Sequence, residues 1–223
     1  MGESIKRIVG PYQDSYSPNG IIGEKDACGV GFIANINGIE SNWILKQSLK
    51  GLNCMEHRGG CGGDSDSGDG AGILCSIPWQ YLEEEMNLKN KQDFNRGLGM
   101  LFLPNKKKKI EECKSICDQE AKKLSIKGTS WRTVPVNNEI LGPLANANAP
   151  FISQWVLYIH KKDNQDIERI LFQLRKRIEK KIRETFKNNV GNCEFYFASL
   201  SSQTVVYKGM VRSEILSEFY QDL

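Results

Sequence analysis

Residues 26–34, the stretch that decides the fold, read DACGVGFIA and contain one cysteine, Cys28. From Cys28 onward the run is short and apolar, and it ends at the turn dipeptide Asn37-Gly38. An apolar run bounded in this way predicts a buried strand over residues 28–36. Residues 1–27 are rich in turn formers and offer few side chains for a core, so we expect a leader segment there.

The second informative stretch, residues 52–79, reads LNCMEHRGGCGGDSDSGDGAGILCSIPW. Gly, Asp and Ser make up most of residues 61–70, which predicts a loop. Between the two stretches, Ser41 offers a helix N-cap, and apolar residues recur at helical spacing at Leu45, Leu49, Leu52 and Met55. We expect this helix to end near Gly59-Gly60.

The remaining chain alternates apolar strands with amphipathic helices. Strands are predicted at 71–77, 97–103, 129–136 and 151–160, followed by a strand pair at 193–200 and 203–209. Helices are predicted at 106–126 and 167–186, with a short final helix at 213–220. Pro135 cannot donate to a β-ladder, which places strand 129–136 near a sheet edge. Strands outnumber helices without strict βαβ alternation, so we expect an α+β fold.

Composition excludes several classes of protein. The chain has 223 residues, with 39% hydrophobic and 26% charged residues, which suits a globular domain. No apolar run reaches the roughly 20 residues of a membrane span. The net charge is only +3, and such a small excess does not by itself indicate a nucleic-acid partner. The Lys-rich segments 106–127 and 161–187 carry their charges opposite an apolar stripe, as solvated helix faces do. The seven cysteines are irregularly spaced, which indicates reduced thiols in an intracellular compartment.

The sequence does not favour a metal site. Cys54, His57, Cys61 and Cys75 lack the paired spacing of a structural zinc site, and Cys75 falls inside a predicted strand. The acidic loop fails the EF-hand pattern, since Asp69 and Cys75 stand where Gly and Glu are required. It also lacks the Gly-Lys-Ser/Thr of a phosphate-binding loop. We therefore expect no metal ion here.

Cys28 is the strongest candidate for chemistry. Cleavage between Ala27 and Cys28 places a thiol and a free α-amine on one residue, which supplies a nucleophile together with its base. Their ordinary pKa values, about 8.5 and about 7.7–8.0, make proton transfer between them easy near neutral pH. The alternative, from Cys28 alone, is a buried structural cysteine.

The motifs ACGVGF, EHRGG and SGDGAGI occur in this order, and FYFASLSSQTVVYKGM follows at 195–210. Together they resemble the start of the glutamate synthase large chain of the ferredoxin-dependent type, over most of residues 24–220. The resemblance implies a class II glutamine amidotransferase domain at 28–223 after a leader at 1–27. It implies an N-terminal-nucleophile hydrolase fold, a four-layer αββα sandwich that is incomplete at its C-terminus.

The resemblance also implies roles for particular residues. Cys28 matches the family's nucleophile, and Arg58 and Gly59 match the Arg-Gly of the HRG motif beside it. The implied reaction is glutamine hydrolysis to glutamate and ammonia. In the complete synthase the ammonia aminates 2-oxoglutarate at a separate site, with FMN, an iron–sulfur cluster and ferredoxin as electron donor. No cofactor is expected in this segment.

The sequence departs from the family in one respect. The Arg-Phe-Ser/Thr segment that holds the family's glutamine carboxylate does not occur in it. The Asn-Gly pair of the oxyanion hole, which comes after that segment in the family, is also missing: Asn19-Gly20 lies in the leader and Asn37-Gly38 at the turn, and neither fits that role. We therefore expect a partial sequence whose 223 residues alone are inactive; the alternative is a non-catalytic module with a binding or regulatory role. Lys and Asn are abundant, with 21 and 17 residues, and the leader does not resemble a transit peptide. Both facts favour a plastid-encoded protein of the plastid stroma or a protein of the cyanobacterial cytoplasm.

Overall fold

The computed structural model describes residues 29–55, 67–68, 70–88, 93–124, 126, 128–160, 166–187 and 194–223. The helices are α1 (Asn42–Asn53), α2 (Trp79–Glu85), α3 (Lys107–Lys123), α4 (Pro143–Ala147), α5 (Ile167–Thr185) and α6 (Leu216–Phe219). The strands are β1 (Ala71–Ser76), β2 (Phe94–Leu103), β3 (Gly128–Thr133), β4 (Phe151–His160), β5 (Tyr196–Ser201) and β6 (Thr204–Gly209). Short 3₁₀ turns occupy Asn138–Ile140 and Ser213–Ile215.

The strands form two antiparallel sheets. A four-stranded sheet has the order β3-β4-β2-β5, and a two-stranded sheet pairs β1 with β6. Strand β3 lies at an edge of its sheet, as the position of Pro135 predicts. The mixture of helices with antiparallel sheets confirms the α+β class.

The side chains of β4 alternate between two hydrophobic cores. Trp155 and Leu157 face the core that contains α3 and α5. Val156 and Tyr158 face the other core, which contains residues of β1, β6 and α6. Because successive side chains of a strand point to opposite faces, β4 is apolar on both sides. The four-stranded sheet therefore lies between a helical layer and the two-stranded sheet.

The two Lys-rich helices form that helical layer. Asp166 caps α5 by accepting a hydrogen bond from the backbone N–H of Arg169 at 3.2 Å. Leu174 of α5 and Cys113 and Cys117 of α3 are fully buried, so both cysteines belong to the hydrophobic core. None of the helices in the described ranges combines the length and apolar composition of a membrane span.

The predicted strand at 28–36 is wrong for the residues that the structure describes. Residues 29–36 contain no strand, and Val30 and Phe32 are each 95% exposed. The predicted turn is present, since the N–H of Gly38 donates to the carbonyl of Asn35 at 3.0 Å and Gly38 has φ 69°. An apolar run becomes a buried strand only beside a hydrogen-bonding partner, and no neighbouring strand within the described ranges pairs with this one.

Other boundaries also differ from the predictions. The Ser41 cap is confirmed, but α1 ends at Asn53, well before Gly59. The sequence predicts that β5 and β6 pair with each other, yet β5 pairs with β2 and β6 with β1. The connection at 202–203 takes the chain from one sheet to the other, so the two apolar strands follow each other without sharing a ladder. Helix α2 has no counterpart among the predicted elements.

Candidate active site

The residues that carry the predicted chemistry, Cys28, Arg58 and Gly59, lie outside the described residues. The structure does describe the chain on either side of them. Gly29 follows Cys28 directly, Met55 precedes the Arg-Gly pair, and Ser67 and Gly68 lie beyond it. The surroundings of the predicted site are therefore built from these flanking positions.

Gly29 packs against Met55, the second residue after α1. A Cβ atom added to Gly29 would lie 2.9 Å from the Sδ of Met55 and 3.4 Å from its Cβ. A side chain at position 29 therefore requires Met55 to move. This contact brings Gly29, the residue next to Cys28, close to the C-terminal end of α1. Met55 itself precedes Arg58 by three positions in the sequence.

Ser67 is anchored to α4. Its side chain is buried, with 2% of the residue exposed, and its hydroxyl accepts a hydrogen bond from the backbone N–H of Ala145 at 3.1 Å. Ala145 is the third residue of α4, where a backbone N–H has no partner within its own helix. The hydroxyl satisfies this donor and fixes the chain at the start of the SGDGAG motif.

Gly68 lies directly on the backbone of another segment. A Cβ atom built there would come within 2.6 Å of the Arg212 nitrogen and the Val211 carbonyl carbon. These are backbone atoms, which cannot rotate away as a flexible side chain can. The close approach explains why this position of the motif is glycine.

A cavity of about 720 Å³ lies beside the segment that continues from Cys28. Its lining includes residues 33–35 and 38–42, residues 73–76 of β1, and Tyr81, Tyr207 and Asp222. Sequence patterns do not indicate these last three residues as neighbours, because they belong to segments far apart in the chain.

Two side chains of the cavity wall, the Cys75 thiol and the Tyr207 hydroxyl, are kept neutral at physiological pH by burial. Burial, and secondarily the carboxylate of Glu40, raise the pKa of the Cys75 thiol to about 11. Burial, followed by the nearby Asp222 carboxylate, raises the pKa of Tyr207. A neutral thiol is a poor nucleophile and a poor metal ligand. Within the described ranges, no three His, Cys, Asp or Glu side chains are arranged to hold a metal ion.

The family described as Glutamine amidotransferases class-II matches residues 28–223. The chain belongs to this family. It is 44% identical over 207 residues to ferredoxin-dependent glutamate synthase 1, chloroplastic/mitochondrial, of Arabidopsis thaliana, which covers 91% of the chain. The ferredoxin-dependent glutamate synthase of Pyropia yezoensis is 42% identical over 226 residues, or 100% of the chain.

A cyanobacterial relative gives the same result. Ferredoxin-dependent glutamate synthase 2 of Synechocystis sp. is 42% identical over 207 residues, or 91% of the chain. The amidotransferase chain spans only 12–14% of the length of these three relatives, and it matches their N-terminal part. The comparisons confirm the resemblance inferred from the ACGVGF, EHRGG and SGDGAGI motifs.

Proposed function

We propose that residues 28–223 are the glutamine-hydrolysing domain of a ferredoxin-dependent glutamate synthase, and that Cys28 becomes its N-terminal nucleophile when residues 1–27 are removed. The observation that carries the proposal is the family match, which begins at Cys28 itself. The relatives are named for glutamate synthesis dependent on ferredoxin, and the chain matches their N-terminal part.

Cys28 would act through its thiolate. The thiolate attacks the side-chain amide carbon of glutamine, while the α-amine of the same residue takes the thiol proton and then donates it to the leaving ammonia. The C–N bond breaks as a γ-glutamyl thioester forms. Water attacks the thioester, releases glutamate and restores the thiol.

Arg58 and Gly59 would support the nucleophile. Three peptide links separate Met55 from Arg58, which limits the distance between their Cα atoms to about 11 Å. Since Met55 contacts Gly29, this limit favours a place for the Arg-Gly pair close to Cys28. The segment that contains Arg58 and Gly59 begins after Met55 and ends at Ser67, and the contacts of Ser67 and Gly68 with other parts of the chain hold this second end.

Helix α1 would supply the fourth layer of the αββα sandwich. It contacts β1 and the turn at Ser213–Ile215. Leu49 and Leu52 pack from α1 onto the core that includes β1 and β6. These contacts support the N-terminal-nucleophile hydrolase architecture.

The complete enzyme would combine this reaction with a second one. Ammonia released at Cys28 is used to aminate 2-oxoglutarate at a distant site that carries FMN and an iron–sulfur cluster and receives electrons from ferredoxin. The chain itself is proposed to bind glutamine and no cofactor. Its relatives are chloroplastic or cyanobacterial proteins, which supports a plastid stroma or a cyanobacterial cytoplasm as the location.

The proposal is tested on the complete enzyme with two cysteine variants. Cys28→Ser should abolish glutamate formation from glutamine and leave ammonia-dependent synthesis intact, because a hydroxyl has a far higher pKa than a thiol. Cys54→Ser is the matched control, since Cys54 is exposed at the end of α1. Mass spectrometry should find Cys28 at the mature N-terminus. Glutamine use by the Cys28→Ser enzyme at the wild-type rate would refute the assignment.

A further inference from the structure

Arg132 is a buried arginine at the centre of a hydrogen-bond network. It lies on β3 and is 8% exposed. Its Nη1 donates to Asp222 Oδ2 at 2.6 Å and to Gln154 Oε1 at 2.9 Å, and its Nη2 donates to the Tyr81 hydroxyl at 2.9 Å. One guanidinium thus joins α2, β4 and the segment after α6.

The partners of Arg132 converge on the cavity beside the segment that follows Cys28. Tyr81 and Asp222 line the cavity directly. Gln154 extends the network to a third lining residue by donating through its Nε2 to the Tyr207 hydroxyl at 3.4 Å. Arg132 itself is not among the lining residues and holds these groups from behind.

The position of Asp222 depends on Arg132. The Asp222 side chain is 1% exposed, and its Oδ1 has no hydrogen-bond partner among the described residues. Its contact with Arg132 therefore supplies the main compensation for burying a charge. A buried carboxylate that loses its cation is strongly disfavoured, so removal of the guanidinium should displace Asp222 from this wall.

We propose that Arg132 is a positioning residue for glutamine hydrolysis: it fixes Tyr81, Tyr207 and Asp222 in the lining of the cavity beside the chain that continues from Cys28. This inference rests on the proposed function. Arg132 touches no reacting atom and acts through the residues that it holds. A displacement of about 1 Å at a site of this kind costs up to about 10²-fold in rate.

The experiment uses the complete synthase and measures kcat and KM for glutamine, the ammonia-dependent rate and the Tm. Arg132→Met removes the guanidinium while keeping an unbranched side chain, and Arg132→Lys keeps a cation beside Asp222. Arg177→Met is the matched control. Arg177 donates to the buried carboxylate of Glu120 at 3.0 Å in the helical layer, on the far side of the four-stranded sheet.

We expect Arg132→Met to lower kcat/KM for glutamine by about 10- to 100-fold and to leave the ammonia-dependent rate within about twofold of wild type. Arg132→Lys should recover part of the loss. Arg177→Met should lower the Tm without changing kcat/KM. If Arg132→Met does not yield folded enzyme, Asp222→Asn, which keeps the shape of the side chain, should show the same selective loss.

Two results would overturn the inference. If Arg132→Met or Asp222→Asn lowers the Tm as Arg177→Met does but keeps the wild-type kcat/KM, Arg132 has only a structural role, and the proposed function stands. If the Cys28→Ser enzyme hydrolyses glutamine like wild type, the proposed function fails and the positioning role fails with it. The Cys28→Ser measurement separates the two failures.

Discussion

Replacing Gly68 with alanine should destabilise the protein through a single methyl group. The new Cβ would lie 2.6 Å from the Val211 carbonyl carbon and 2.7 Å from its oxygen, whereas carbon atoms in contact are about 3.5–4.0 Å apart. The two backbones must separate by about 1 Å, and overpacking of this kind costs about 1–3 kcal/mol. The shift also strains the hydrogen bond from Ala145 to Ser67.

The assay for Gly68→Ala is urea unfolding followed by tryptophan fluorescence. Trp155 is fully buried and stacks on Trp131 with ring centroids 5.2 Å apart, so it reports global unfolding. Because the free energy of unfolding falls by about 2 kcal/mol per M urea, the urea midpoint should decrease by about 0.5–1.5 M. Gly51→Ala is the control: nothing lies within 4 Å of its Cβ position in α1, and it should stabilise the helix by about 0.5–1 kcal/mol. Equal midpoints for Gly68→Ala and wild type would refute the close-approach argument.

Three further predictions concern the thiols, pH and the core. Cys75, whose pKa is raised to about 11, should react with a thiol reagent at pH 8 far more slowly than the exposed Cys54; equal labelling rates would contradict this. Hydrogen bonds from its cationic partners lower the pKa of Glu120 below 4.5, so this group stabilises the fold above that pH. The urea midpoints of wild type and Glu120→Gln should therefore differ at pH 7 and converge as the solution is acidified; a constant difference would exclude this linkage. Leu174→Ala should lower the free energy of unfolding by about 2–5 kcal/mol, because Leu174 is fully buried. Phe172 lies on the same helix and is 60% exposed, so Phe172→Ala should lower it by about 0.5 kcal/mol or less; similar losses would argue against the burial of Leu174.

Elements with a strong period were predictable from the sequence. Strand β4 was expected at residues 151–160 and occupies Phe151–His160, because an apolar run of this length can be buried on both faces. Helix α5 was expected at 167–186 and ends one residue earlier, at Thr185. Its apolar stripe faces the sheet and its charges face solvent, so local pattern and tertiary packing agree.

Pairings and long-range polar contacts were not predictable. Arg132 and Asp222 are 90 residues apart, and nothing local links a basic residue in one strand to an acidic residue after a distant helix. Strands β5 and β6 illustrate the same difficulty. Their short connection favours a hairpin, yet β5 and β6 belong to different sheets. The Ser199 hydroxyl accepts a hydrogen bond from the Val206 N–H, so a side chain links the two strands in place of a backbone ladder. Tertiary packing decides such cases.

The segment after Cys28 shows why composition alone does not define a strand. Its sequence satisfies every local requirement, since it is short, apolar and bounded by a turn. A strand also needs a partner for its backbone N–H and C=O groups, and this requirement lies outside the segment. Without a partner in the described ranges, Val30 and Phe32 remain on the surface. The thiol and α-amine chemistry make Cys28 a candidate nucleophile and the motif order across the chain strengthens that assignment, whereas the conformation of residues 29–36 depends on contacts outside the segment.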